Sequence, residues 1–447
     1  MAAPSLKRRD LLAGLVGTVG AISGCMATAP GPAAASAAPQ DEWARVRDQF
    51  ALSRDWLHLG GFLLASHPKP VRDAIEAHRR GLDENPVDYL DKHEGGPPRP
   101  GKPRPPSAED RVRASAATYM GAHPGDIALT DSTTMGLGML YSGLPLRSGD
   151  EIVTTTHDHY ATHESLRFAA ERSGATVRKV PLYERAAEAS AGAMADAIAH
   201  AITPATRVVA VTWVHSGTGV RVPVRRIADA VASANGGRAE KDRVLLCVDG
   251  VHGFGVEDAS TGDLGCDFFV AGCHKWMFGP RGTGVVWGKP EHWQLLRPTV
   301  PHFGGEGYGA WIKGVAPPPT NANMMTPGGF HSFEHRWALA QAFDFHLGIG
   351  KPKVAARIHD LNRQCKEGLA AMRHVTLHTP RAVEISAGII CFEMAGLDPE
   401  QVVARLRAKR IIATTTPYAT SYARVAPGLL NSPDEIETVL REIRALA

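Results

Sequence analysis

Between Asp150 and Gly288 the chain alternates two patterns. Short apolar runs rich in Val and Ile predict strands buried on both faces, and segments whose apolar residues recur every three or four positions predict amphipathic helices. "EIVTTT", "ATVRKV", "TRVVAVTWV", "RVLLCV", "DFFVAG" and "GTGVVWG" read as strands. "SLRFAAERSG", "MADAIAHAIT" and "VRRIADAVASANGG" read as helices, the first and last closed by glycine. This alternation predicts an α/β fold, a mostly parallel sheet with helices on both faces. Beyond Gly329 the rhythm changes. "EHRWALAQAFDFHLGIG" and "KPKVAARIHDLNRQCKEGLAAM" predict long helices, "VTLHT" and "GIICFEM" short strands, and "PEQVVARLRAKR" and "SPDEIETVLREIRAL" further helices. The patterns divide the chain into a leader and tether over 1–40, a segment over 41–70 joining the small domain, a large domain over 71–330, and an α+β small domain over 331–447. Pro-rich stretches at Gly95–Ser107 and Gly314–Gly329 read as extended loops.

The leader changes the picture of where the protein works. Lys7, Arg8 and Arg9 precede a weakly apolar stretch from Leu11 to Ile22, too short to span a membrane as a mature helix. The paired arginines followed by Asp-Leu-Leu resemble a twin-arginine export signal, a route that carries folded proteins with cofactors already bound. Ile22-Ser23-Gly24-Cys25 resembles a lipobox, which would leave a lipid on Cys25, whereas the small residues around Ala37 suit soluble release. The expectation is a periplasmic or exported protein, lipid-anchored or released, with the export machinery as a partner.

Composition narrows the chemistry by exclusion. Of 447 residues 44% are hydrophobic and 21% charged, with a net charge of +3. Such a balance gives no footprint for nucleic acid. The six cysteines are scattered without a Cys-x-x-Cys pair, so neither a disulfide framework nor a metal site is indicated.

Ligands of open α/β sheets sit at the carboxyl ends of the strands. Asp249 and His252 follow "RVLLCV", and His274 and Lys275 follow "DFFVAG". His157, Asp158 and His159 follow "EIVTTT", and His215 and Ser216 follow "VVAVTWV". Ser132, Thr133 and Thr134 open an apolar helical run, where free N–H groups and short hydroxyls make a cup for phosphate. A phosphate cup, an acid and a buried lysine together suit pyridoxal phosphate, whose aldehyde reacts with an amine and whose ring nitrogen needs a carboxylate. Each residue has a plainer alternative. Lys275 could snorkel to the surface, and Asp249 could cap a turn. Ser132–Thr134 could be an N-cap alone. His157 or His163 could stand where His159 is placed. His215 could be a core histidine, and Arg424 a surface ion-pair residue.

The run "VDGVHGFG" followed by "DFFVAGCHKWMFGPRGTG" resembles class V aminotransferases, of pyridoxal-phosphate fold type I, and within them the isopenicillin-N epimerase-like branch. The resemblance covers about 41–447. It implies that Lys275 carries the cofactor, Asp249 partners the ring nitrogen, and His159 stacks on the ring. It implies that His252 meets the ring oxygen or the substrate, and that His274 with Ser132, Thr133 and Thr134 faces the phosphate. His215 and Ser216 match the segment under the ring hydroxyl, and Arg424 the arginine that pairs with a substrate carboxylate. A homodimer is also implied. Two positions depart from the family. Gly272 stands where related desulfurases carry a phosphate-binding hydroxyl. Arg336 and Trp337 end the segment where relatives reach a neighbouring subunit's phosphate, so Arg336 is expected as a substitute there.

The family's shared chemistry is removal of a proton from the substrate α-carbon by the freed lysine. The expected reaction is transamination, or a related side-chain modification, of an amino-acid or peptide-borne amine. By analogy with exported relatives, it would serve maturation of a secondary metabolite or siderophore. Epimerisation is the alternative, and β-lyase or desulfurase chemistry ranks below it. Desulfuration needs a cysteine on a loop just before the carboxylate arginine, and the last cysteine, Cys391, lies in the apolar "GIICFEM". A catalytically silent exported binding protein is the reading from another class. The presence of both Asp249 and Lys275 speaks against it.

Overall fold

In the computed structural model, which describes residues 42–95 and 105–447, helix Glu42–Asp48 and a short strand, β1 (Leu57–His58), precede two sheets. The larger sheet has seven strands: β2 (Ile127–Thr130), β3 (Glu151–Thr155), β4 (Thr176–Val180), β5 (Thr206–Thr212), β6 (Leu245–Asp249), β7 (Phe268–Gly272) and β8 (Gly284–Gly288). Their order is β2-β8-β7-β6-β5-β3-β4. From β7 to β4 every pairing is parallel, and β8 runs against both of its neighbours.

The near-continuous apolar runs are explained by layers on both faces. Side chains alternate across a strand. Val209, Val211, Leu246 and Val248 accordingly enter one core, while Val208, Ala210, Leu245 and Cys247 enter the other. The first expected helix is found at Tyr160–Ser173, closed by left-handed Gly174, and the last at Val224–Ala234, closed by Asn235 with the glycines just beyond it.

The smaller sheet is antiparallel. It uses β9 (Val375–Leu377), β10 (Ile390–Met394), β12 (Thr414–Thr415) and β13 (Ala423–Val425), in the order β12-β13-β10-β9. Helices Lys351–Ala370, Pro399–Ala408 and Pro433–Arg444 bury Leu361, Leu406 and Ile436 against it. The chain's start returns to this region. β1 pairs in parallel with β11 (Ile411–Ile412), and Leu59 is fully buried in the same core.

The structure differs from the sequence expectations in places. The strand expected over "TRVVAVTWV" stops at Thr212, because Val214 folds back to bridge Arg221 around Gly219 in the left-handed region. The single helix expected over "EHRWALAQAFDFHLGIG" is two, Phe333–Trp337 and Leu339–Ile349. The break falls where the Trp337 ring stacks on His93, itself stacked on Tyr89. The leader, Cys25, the tether and most of the first Pro-rich stretch lie outside the described residues. Among the described residues no helix is long and apolar enough to cross a membrane.

Candidate active site

The strand ends of the large sheet and the β12–β13 loop of the small one border a single cavity. Lys275 reaches into it three residues past β7, and its Nζ lies 3.4 Å from His252 Nε2. Burial pulls the lysine pKa from its usual 10.5 down to about 8, against the pull of Asp249 and with a push from Arg424. Asp249 ends β6, where it is buried. Its Oδ1 accepts from the Val251 N–H (3.1 Å) and its Oδ2 from Thr162 Oγ1 (3.5 Å). Burial raises its pKa to about 6, opposed by the Val251 N–H and the Lys275 charge. His252 is held well below its ordinary value by burial and by that same charge, so it is a neutral imidazole.

The phosphate side is built from a helix start. Ser132 caps helix Thr133–Gly143, its Oγ accepting from the Met135 N–H at 3.1 Å. Thr133 Oγ1 accepts from the Gly272 N–H at 2.8 Å and so ties the helix to the end of β7. Thr134 and His274 border the same corner. A β-carbon on Gly272 would meet Thr133 Oγ1 at 3.0 Å and the His274 ring at 3.1 Å. A hydroxyl side chain like that of related desulfurases would need Thr133 or His274 to give by a few tenths of an ångström here.

The histidine cluster resolves by bonding. His159 caps helix Tyr160–Ser173, its Nδ1 accepting from the Ala161 N–H at 3.2 Å, and its ring borders the cavity. His163 Nε2 meets the Thr155 carbonyl at 2.8 Å. His157 also borders the cavity, but it accepts from the Leu182 N–H and stacks on Tyr183 at 3.9 Å. His215 does not border the cavity. It is buried, bonded through Nδ1 to Tyr183 Oη at 2.8 Å, and desolvation takes its pKa to about 3. It fits the core-histidine alternative.

Arg424, on β13, is buried and pairs with no carboxylate among the described residues. It donates to Thr414 Oγ1 (3.0 Å), the Ser216 carbonyl (2.7 Å) and the Thr415 carbonyl (3.1 Å), and lies 4.4 Å from the Phe62 ring centre. Those bonds aim its guanidinium and leave donors for a carboxylate. Arg336 is placed otherwise than expected. It is buried against its own chain, donating to Asp131 Oδ1 (2.8 Å) and Glu109 Oε1 (3.3 Å), and is thus already engaged.

Sequence reading missed Tyr418, whose Oη lies 2.6 Å from Ser216 Oγ, and Phe62. Both border the cavity from segments distant in sequence, with no motif to mark them. It also gave no role to Asp158. Its Oδ2 accepts from the Thr155 N–H and Thr154 Oγ1 (both 2.7 Å) and its Oδ1 from the Thr212 N–H (2.8 Å), which joins β3 to β5 behind the site.

Pyridoxal phosphate fits the residues present. Thr212 Oγ1 and His252 Nδ1 are buried at the cavity wall without hydrogen-bond partners among the described residues. Lys275 offers the amine for the aldehyde, Asp249 the carboxylate for the ring nitrogen, His159 a flat face, and Ser132–Thr134 with the helix start an anion cup. Fold and site define a pyridoxal-phosphate enzyme of fold type I. The aminotransferase class-V family model matches residues 107–425, and the chain belongs to that family. It is similar over 91% of its length to isopenicillin N epimerase of Streptomyces clavuligerus, at 24% identity and 98% of that protein. It is 26% identical to a probable cysteine desulfurase of Vibrio cholerae, over 74% of this chain and 81% of that one. Among solved structures, a mutant of C-DES with glycine covalently linked to its pyridoxal-phosphate cofactor superposes with a TM-score of 0.76, at 21% identity, covering 89% of this chain and 98% of that one. The cysteine desulfurase of Thermococcus onnurineus gives 0.75 at 22% identity, covering 90% and 97%.

Proposed function

We propose that this enzyme removes and returns a proton at the α-carbon of an amino acid or peptide-borne amine that bears a carboxylate, and that epimerisation is the outcome. The observation that carries this reading is the pairing, in one cavity, of Lys275 with a second proton-bearing group, Tyr418. When bound, pyridoxal phosphate supplies an electron sink for the charge that develops at the α-carbon. Lys275, with its pKa drawn to about 8, is available as a base near neutral pH. His252, neutral and 3.4 Å away, holds the amine in position. Arg424 takes the substrate carboxylate, its plane set by Ser216, Thr414 and Thr415. Burial raises the pKa of Tyr418, so it keeps its proton and can deliver it, with Ser216 beside it.

Similarity to an epimerase over nearly the whole of both chains supports this outcome over transamination. Sulfur transfer is disfavoured by the cysteines. Cys391 is fully buried in β10 with its thiol pushed up to about 12, and no cysteine follows it. Export by the twin-arginine route, from Arg8 and Arg9, belongs to the same reading, as does a homodimer. The latter is supported by exposed Tyr308, Trp311 and Ile312 on helix Gly305–Lys313.

The test incubates the cofactor-loaded protein with single enantiomers of amino acids and dipeptides in heavy water. Deuterium at Cα with appearance of the other enantiomer is expected. Keto-acid release would mean transamination, and sulfide release from cysteine would overturn the reading.

A further inference from the structure

Asp131 poses an electrostatic problem that Arg336 answers. Asp131 lies between Thr130, the last residue of β2, and Ser132, the cap of the helix that receives phosphate. A carboxylate one residue from that cup opposes a phosphate, because like charges repel, and the Asp131 side chain, 41% exposed, is screened by water only in part. Arg336 Nη2 donates to Asp131 Oδ1 at 2.8 Å, and the arginine side chain is 4% exposed. Its other nitrogen reaches Glu109 Oε1 at 3.3 Å, and Glu109 is itself met by Arg113 at 2.9 Å. Arg113 also meets Asp110 at 3.5 Å, so Arg336 and Arg113 are shared among Asp131, Glu109 and Asp110.

The arginine is also fixed in place. It lies on helix Phe333–Trp337, whose Trp337 ring stacks on His93 at 4.9 Å. None of Arg336, Asp131 and Glu109 borders the cofactor cavity, so the effect passes through Ser132 and the helix start.

We propose that Arg336 is a positioning residue for the phosphate cup. It neutralises Asp131 and turns its carboxylate away, so that the helix start meets an anion without a competing negative charge. The inference rests on pyridoxal phosphate being the cofactor. It differs from a packing role because it predicts dependence on phosphate charge and rescue at Asp131.

The test measures cofactor binding to cofactor-free protein by visible absorbance, with pyridoxal phosphate and with phosphate-free pyridoxal. Arg336→Met is expected to weaken pyridoxal phosphate by about 10-fold or more, with a larger loss at low salt, and to leave pyridoxal within about 2-fold. Adding Asp131→Asn to Arg336→Met is expected to restore most of the loss. Should Arg336→Met not fold, Asp131→Asn alone in the parent decides: it is expected to bind pyridoxal phosphate at least as tightly, with any gain largest at low salt. Equal loss for both ligands, no rescue by Asp131→Asn, or weaker binding in Asp131→Asn alone would overturn the proposal. A parent protein that binds neither ligand would overturn the cofactor assignment instead.

Discussion

Lys275 must meet two demands that conflict in water. It has to be neutral to attack an aldehyde or take a proton, yet stay beside the acid that serves the ring. Burial resolves this by drawing its pKa from 10.5 to about 8. The rate at which cofactor-free protein takes up pyridoxal phosphate should therefore rise with pH and level off above about 8, as followed by stopped-flow absorbance; a rise continuing towards 10.5 would contradict the burial argument. Asp249 is strained the other way, an acid with its folded pKa raised from 3.8 to about 6. Ionising it costs stability above pH 6, and the cost falls away as pH drops from 6 towards 4. Asp249→Asn should accordingly stabilise the cofactor-free protein at pH 8 by up to about 3 kcal/mol, with little gain at pH 4, while weakening catalysis severely. Thermal melts at the two pH values test it. The strand-end residues were legible in sequence because parallel sheets place chemistry at carboxyl ends. Tyr418 and Phe62 were not, because nothing in "TPYATSY" or "GGFLL" marks a residue that folding brings to a distant cavity.

The elements are held to tolerances set by two glycines. Helix Thr133–Gly143 lies so close to the sheet that a β-carbon on Gly136 would meet Val270 Cγ1 at 2.6 Å and Val286 Cγ2 at 3.1 Å. Gly136→Ala should lower the unfolding free energy by about 1–2 kcal/mol in urea titrations, since overpacking exceeds the gain in helix propensity. It should also weaken cofactor binding, because Ser132 moves with the helix. Gly272→Ser should leave the fold intact and weaken pyridoxal phosphate binding by about 5-fold or more through pressure on Thr133 and His274. Tighter binding would show that the serine hydroxyl finds room as a phosphate ligand. Periodicity revealed the helices flanking the large sheet but not the break at Ala338, since the apolar positions of the two helices run on in one rhythm. The ring stack on Trp337 is what distinguishes them.

At the scale of the whole molecule, two sheets supply one site. The strand ends of the large sheet place Asp249 and Lys275 beside Ser132–Thr134 at the start of helix Thr133–Gly143, while the small sheet contributes Arg424 and Tyr418. The start of the chain secures the small region, because β1 pairs with β11 and Leu59 is fully buried among Leu406, Ile411 and Val425. Removing residues 42–60 should therefore destabilise the protein far more than a surface deletion, by at least the roughly 3 kcal/mol typical of losing one fully buried leucine. The comparison is a melting curve against a chain beginning at Asp41. An unchanged melt would mean that β1 is an ornament on an independently stable sheet.

The order of apolar runs, the acid and lysine that end two of them, and the short hydroxyls before a helix were determined locally. Each depends on periodicity or on a neighbour a few residues away. From these followed the α/β class, the cofactor and most of the residues that line the cavity. What only tertiary structure decided involves partners far beyond a local window: Arg424 aimed by Ser216, Tyr418 brought to the cavity, His215 turned into the core against Tyr183, and Arg336 set against Asp131 rather than free for a neighbour. Such pairings depend on how layers pack and on which buried charges must be matched, and neither is written in the spacing of a single chain.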